Sequence, residues 1–201
     1  MLVRDVMTPN PVTVNSSAPL VEIKRIMDSN KIRRVPVVDG VKLVGIVTRN
    51  SLEREVSSMI STLTAADVMV RHLVTVHGDA TVEEAVGTAQ AKRVGALLVV
   101  QRKRLVGIAT TNDFFYKILN PLLGIALPGS RISVRNCGTA AEVEKVLHVI
   151  NGLKLEVSSM FTMKLPGNGE QVFTAHLAND DPSDLIAALT RKGFVVEPRK
   201  R

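Results

Sequence analysis

Thr110-Thr111-Asn112-Asp113 places a hydroxyl and a carboxylate three residues apart, directly after the apolar run Leu105-Val106-Gly107-Ile108-Ala109. If a helix starts there, the threonine hydroxyl and nearby N–H groups favour an anion, and the aspartate lies one turn on, on the same side. Such a pair can take an anionic group at Thr110 and hydroxyl groups at Asp113. The same residue types also serve as plain helix caps. Thr48-Arg49-Asn50-Ser51 repeats the pattern with serine in the acidic place, and a serine cannot bring a charge to two hydroxyls.

The elements that must position these residues occur twice. Shifting the chain by 62 residues lays Asp5-Val6-Met7 on Asp67-Val68-Met69 and Val12-Thr13-Val14 on Val74-Thr75-Val76. The same shift lays Leu43-Val44-Gly45-Ile46 on Leu105-Val106-Gly107-Ile108. Sixteen of 47 positions are identical between 5–51 and 67–113, where average composition gives roughly three by chance. Each copy reads β-α-β-β-α. Val12–Val14 is extended, a helix starts near Pro19 with Leu20, Ile23 and Met27 on one face, and Val35–Val38, Asp39-Gly40 and Leu43–Val47 form a hairpin. In the second copy Thr81-Val82-Glu83-Glu84 has capping-box spacing. Arg102-Lys103-Arg104 falls on a predicted hairpin turn and reads as surface.

Gly107-Ile108-Ala109-Thr110-Thr111-Asn112-Asp113 resembles the G-h-h-T-x-x-D signature of CBS domains. Asp5-Val6-Met7-Thr8 and Ile32-Arg33-Arg34-Val35-Pro36-Val37 are similar to other parts of that family's pattern. Two tandem repeats over residues 1–61 and 62–120 resemble a Bateman module. The resemblance implies sheet-packed repeats with two clefts that take AMP, ADP, ATP or a related adenosyl ligand, without a catalytic cofactor or metal. It implies nucleotide contacts at Thr110, Asp113, Thr75, Arg33, Arg34, Thr48, Ser51, Thr13, Val35 and Pro36. Without an acid at Ser51, the first cleft is expected to bind weakly, to take something else or to stay empty.

Asn120-Pro121 is expected to interrupt the helix that begins near Asn112. Residues 121–129 read as a linker and 130–201 as a second domain. Arg131–Val134 alternates like a strand, and Thr139–Asn151 carries Val143, Val146, Leu147 and Ile150 on one helical face. Leu153–Leu165 and Gln171–Ala178 flank the turn Pro166-Gly167-Asn168-Gly169. Pro182 opens a helix and Phe194–Val196 is a final strand. The order βαββαβ fits a ferredoxin-like sandwich and resembles an ACT domain. That resemblance implies pairing into a homodimer and an amino-acid site at Asn136, Cys137, Gly138 and Thr139. The loop lacks the proline that usually precedes the glycine, so a purely dimerising role stands beside it. A CBS pair followed by such a domain resembles the acetoin-utilisation B type. The fold class is thus α+β or α/β, with a Bateman module and an ACT-like domain.

Composition narrows the function classes. The chain has 201 residues, net charge +7, one cysteine, 3% aromatic and 45% apolar residues. A lone cysteine excludes a disulfide-stapled scaffold. No apolar run reaches the roughly 18 residues of a membrane span. The opening Met1-Leu2-Val3-Arg4-Asp5 lacks a signal peptide's apolar stretch, so a cytoplasmic chain is expected. Residues 1–120 hold sixteen Lys and Arg against eleven Asp and Glu, so the positive field belongs there. Nucleic-acid binding through this half and the Arg199-Lys200-Arg201 tail is an alternative, opposed by too few aromatics for stacking. A scaffold without a ligand, acting through a protein partner, is another. Cys137 has no nearby base, the histidines lack metal-ligand spacing, and no nucleophile–base pair or P-loop is present, so catalytic residues are not expected.

Overall fold

The computed structural model describes residues 1–54, 62–125 and 127–199, and the chain divides into two compact units, Met1–Phe114 and Phe115–Arg201. The expected division at residue 120 lies six residues further on. The Lys200-Arg201 end of the basic tail lies outside the described residues.

The first unit runs α1 (Val3–Val6), β1 (Thr8–Pro9), α2 (Leu20–Ser29), β2 (Arg34–Asp39), β3 (Lys42–Thr48), α3 (Arg49–Glu53), α4 (Ala65–Val68), β4 (Thr75–His77), α5 (Val82–Lys92), β5 (Ala96–Gln101), β6 (Arg104–Thr110) and α6 (Thr111–Phe114). β4, β5, β6 and β1 form one sheet in the order β1-β6-β5-β4, and β2 and β3 form a hairpin. The leading segment of each repeat packs on the other repeat. Thr8 pairs with Ile108 and Pro9 with Gly107, while Val70 bridges Ile46. Val3 is buried with Ala85, Leu97, Val99 and Ala109 of copy two. Ala65 and Met69 are buried with Leu20, Ile23, Met27, Val35 and Val47 of copy one.

This exchange accounts for two recurring motifs. A Cβ on Gly45 would overlap the Met69 side chain, and one on Gly107 would overlap Met7. Each methionine of the Asp-Val-Met triplets therefore lies on the glycine of the other repeat's hairpin, where only a bare backbone leaves room.

The expected strand Val12–Val14 is reduced to a single bridge between Val14 and Val37, although its counterpart Val74–Val76 overlaps β4, a strand parallel to β5. Proline is the cause. In copy two the Leu98 N–H donates to the Val74 carbonyl at 3.1 Å, and the equivalent of Leu98 is Pro36, which has no N–H. Only the Val14 rung remains, with Val14 N–H to Pro36 O at 3.1 Å and Val38 N–H to Val14 O at 2.8 Å. Thr81 caps α5 by accepting the Glu84 N–H at 3.1 Å, one half of the expected capping box. Arg102 and Lys103 turn β5 into β6 with φ of +49° and +64°, as the hairpin reading requires.

The helical run does not stop before Pro121. π-Helical turns cover Phe115–Leu119, and α7 (Asn120–Leu122) holds Pro121 in its first turn, where a missing N–H is tolerated.

In the second unit, β7 (Ser130–Arg135), α8 (Ala140–Gly152), β8 (Val157–Lys164), β9 (Gln171–Leu177), α9 (Ser183–Arg191) and β10 (Val196–Arg199) make an antiparallel sheet in the order β10-β7-β9-β8. This is the βαββαβ arrangement expected of a ferredoxin-like fold. Ile132, Val134, Phe173, Ala175 and Leu177 of the sheet are buried with Val146 and Ile150 of α8 and Leu185 and Leu189 of α9. The last strand begins at Val196 rather than Phe194. Gly193, at φ +87°, reverses the chain after α9, and the Phe194 N–H is still bonded back to Leu189 O at 3.1 Å.

Candidate functional site

Both repeats end their hairpin on a threonine that caps the next helix. The Thr48 N–H donates to Ser51 Oγ at 2.9 Å, Ser51 N–H donates to Thr48 Oγ1 at 3.1 Å, and Ser51 Oγ donates to the Thr48 carbonyl at 2.8 Å. In copy two the Asp113 carboxylate takes the Thr110 N–H at 2.8 Å and the Thr110 hydroxyl at 2.7 Å on one oxygen. Its other oxygen accepts the Thr8 hydroxyl at 3.2 Å, and Asp113 is only 8% exposed. The carboxylate thus ties the start of the chain to the second repeat.

Two cavities adjoin these turns. A polar basin of about 350 Å³ is lined by Arg33, Arg34, Thr48, Arg49, Asn50, Thr110, Thr111 and Asn112. It takes the same three consecutive positions from each copy, 48–50 and 110–112, together with two arginines that only copy one possesses. A slot of about 220 Å³ is lined by Ile46, Val70, Leu73, Val74, Val94, Ala96 and Leu98, with Arg34, Thr48, His72 and Gly95. Arg34 and Thr48 belong to both. Gly95 makes room for Arg34, since a Cβ there would stand 2.7 Å from its guanidinium nitrogen.

The electrostatics of the basin are one-sided. Arg49 is paired with Asp28 at 2.6 Å. Arg33 and Arg34 form no ion pair with a carboxylate among the described residues. Burial, and then the neighbouring Arg33 charge, lower the pKa of the Arg34 guanidinium.

The structure therefore brings together Arg33, Arg34, Thr48 and Thr110 of the expected set. Asp113 and Ser51 line neither cavity, because their side chains are turned into the helix caps. Thr13 is exposed and Thr75 lies in β4, both away from the cavity walls, while Val35 and Pro36 are buried in β2. The apolar wall Val70, Leu73 and Val74 was not singled out from the sequence. They are the counterparts of Thr8, Pro11 and Val12, and no residue type among them marks a site.

In the second unit, the loop Asn136–Thr139 has the N–H groups of Cys137, Gly138 and Thr139 in use. Cys137 N–H donates to Gln171 O at 3.1 Å, and Gly138 and Thr139 N–H both donate to one Glu142 oxygen, at 3.0 and 2.9 Å. These bonds hold the Glu142 carboxyl below its ordinary range. Cys137 is buried, and burial followed by the Glu142 charge pushes its thiol up, away from nucleophilic character. Among the described residues no helix is long and apolar enough to cross a membrane, and no group of three or more His, Cys, Asp or Glu could hold a metal ion.

Comparison with known proteins identifies the repeated half of the chain. A family model described as the CBS domain matches residues 3–58 and again 65–120. An acetoin utilization protein, AcuB, from Vibrio cholerae has a solved structure 33% identical, with a TM-score of 0.56, covering 64% of this chain and 98% of that one. The CBS domain pair of protein MJ0100, solved with 5′-methylthioadenosine and S-adenosyl-L-methionine, is 28% identical with a TM-score of 0.51 and covers 57% of this chain and 92% of that one. CBSX2 solved with AMP is 26% identical with a TM-score of 0.51, covering 59% and 96%. Among curated sequences, an inosine-5′-monophosphate dehydrogenase of Thermoplasma acidophilum is 31% identical over 72% of this chain. The chain spans 29% of that relative's length.

Proposed function

The chain belongs to the CBS-domain family, and we propose that it is a non-enzymatic sensor that holds an adenosyl ligand in the cleft between its two repeats. The observation that carries this reading is the junction of slot and basin at Arg34 and Thr48. A flat, largely apolar base fits walls of Ile46, Val70, Leu73, Val74 and Leu98, and a polar tail extends past Arg34 toward Arg33 and Thr110. The solved complexes of MJ0100 and CBSX2 hold ligands of this class and support the assignment. Asp113 then acts as a positioning residue, fixing Thr110 at the basin and Thr8 beside it. The second unit would pair chains into a homodimer, leaving the β8 edge with its exposed Met160 and Met163 as the surface to examine. Amino-acid input at residues 136–139 would require a ligand carboxylate to displace Glu142.

Thermal unfolding of the full chain with AMP, 5′-methylthioadenosine or S-adenosylmethionine tests the reading. A ligand at 100 times its dissociation constant adds about 2.7 kcal/mol of stability. Ala96→Leu, which fills the slot, should remove the shift, and a shift that survives it would place the ligand elsewhere.

A further inference from the structure

We infer, resting on the adenosyl reading of the cleft, that the helical run 111–122 is a two-register strap. Through it, a ligand in the basin and the contact of Ser159 with Leu122 bias one another. The run starts at the basin, whose wall takes Thr111 and Asn112 from the first turn of α6. Asp113 anchors that turn to Thr110 and Thr8. The run ends on α7, where the Leu122 carbonyl accepts the Ser159 hydroxyl of β8 at 2.7 Å. Between these anchors Phe115–Leu119 is π-helical. Such turns are rare, occur mostly singly inside α-helices and are frequent at functional sites.

Pro121 accounts for the register. In an α-helix its ring would press on the carbonyl four residues back, that of Lys117, and the wider π-turn moves that carbonyl away. The register leaves apolar surface in water: Phe115 is 54% exposed and Tyr116 66%, while Ile118 and Leu119 are half-buried. It therefore has to be held in place. A π-turn takes up one residue more than an α-turn, so reversion to α turns one end of the run against the other by about 100°. The two anchors cannot both survive that rotation. With Leu122 held by Ser159, it falls on α6 and draws Asp113 away from Thr8 and Thr110. With α6 held, it breaks the Ser159 contact. The assembled basin and the docked α7 thus belong to one state, and a ligand that fits the basin selects both.

Tyr116 reports on this run alone, since the chain has one tyrosine and no tryptophan. Tyrosine fluorescence and amide hydrogen exchange of the full chain, together with isothermal titration of AMP, read the strap at both ends. Saturating AMP should change Tyr116 emission and slow exchange across residues 115–123 at least about fivefold, the low end of coupling between sites. Coupling is reciprocal, so Ser159→Ala, at a residue that lines neither cavity, should weaken AMP binding at least about fivefold. Pro121→Ala, which removes the reason for the π-turn, should do the same. Without ligand, each variant should change Tyr116 emission. AMP affinity unchanged in both variants would overturn the coupling and leave the adenosyl site standing. So would AMP binding to the wild type with no effect on Tyr116 or on exchange. Emission unaltered in both ligand-free variants would overturn the two-register strap, whether or not AMP binds. Failure of AMP, 5′-methylthioadenosine and S-adenosylmethionine alike to bind would overturn the adenosyl reading, and ligand control of the strap with it.

Discussion

The two repeats close the same joint with different chemistry. At one end Thr8 meets Asp113 in a polar tether that reaches across the unit. At the other end the corresponding residues are Val70 and Ser51, and the contact is apolar: Val70 bridges Ile46 and lines the slot while Ser51 caps its own helix. The hydroxyl and the acid are lost together. A duplicated scaffold can thus keep one joint as a tether and turn its twin into a cavity wall, provided both partners change.

The exchange of methionines across the repeats gives the largest expected effects on stability. Gly45→Ala and Gly107→Ala should each destabilise the first unit by about 1–3 kcal/mol in urea unfolding, the usual cost of overpacking. Gly45→Ala should be the worse. A Cβ at Gly107 meets the sulfur, Cγ and terminal methyl of Met7, the outer part of a side chain that can swing aside, whereas one at Gly45 meets Met69 down to its Cβ. Equal costs would show that the two joints are packed alike.

Asp113→Ala should cost about 2 kcal/mol, because it strands the Thr110 N–H and the Thr8 hydroxyl as well as removing a cap. Ser51→Ala should cost about 1 kcal/mol, the value of a local cap. If Asp113→Ala costs no more than Ser51→Ala, the long-range tether contributes nothing and the contrast between the joints collapses.

A smaller effect is expected in the second unit. Glu142 has a depressed pKa in the folded chain, so its contribution is present above its unfolded-state pKa and is lost as the pH falls through the folded value. Glu142→Gln should therefore lower the thermal midpoint near neutral pH, with the difference from wild type vanishing on acidification. A pH-independent difference would mean that the carboxylate's charge is not what holds the Gly138 and Thr139 N–H groups.

Much of this was legible from residue patterns. The 62-residue shift located both repeats, the Asp39-Gly40 turn and the Thr48 and Thr110 caps, because hairpins and caps are short-range features that recur with their residues. The exchange of leading segments was not legible, since Met7 on Gly107 and Met69 on Gly45 are contacts between distant parts of the chain. The shortened Val14 bridge was foreshadowed by Pro36, but only the pairing of Val74 with Leu98 shows which hydrogen bond the proline removes. Around the cavities, Thr48 and Thr110 could be singled out from residue type, and Arg33 and Arg34 from the family resemblance. The fate of Asp113 could not, because its carboxylate is claimed by Thr8, 105 residues away. The slot escaped notice because Val70, Leu73 and Val74 look like ordinary core residues until the other repeat leaves them a free face.

The most direct test of the central claim is a crystal structure of the full chain grown with AMP. The account predicts the adenine between Val70–Val74 and Val94–Leu98, the phosphate against Arg33 and Arg34, and Asp113 still bonded to Thr110. Adenine seated away from this slot, or a phosphate that touches neither arginine, would contradict it.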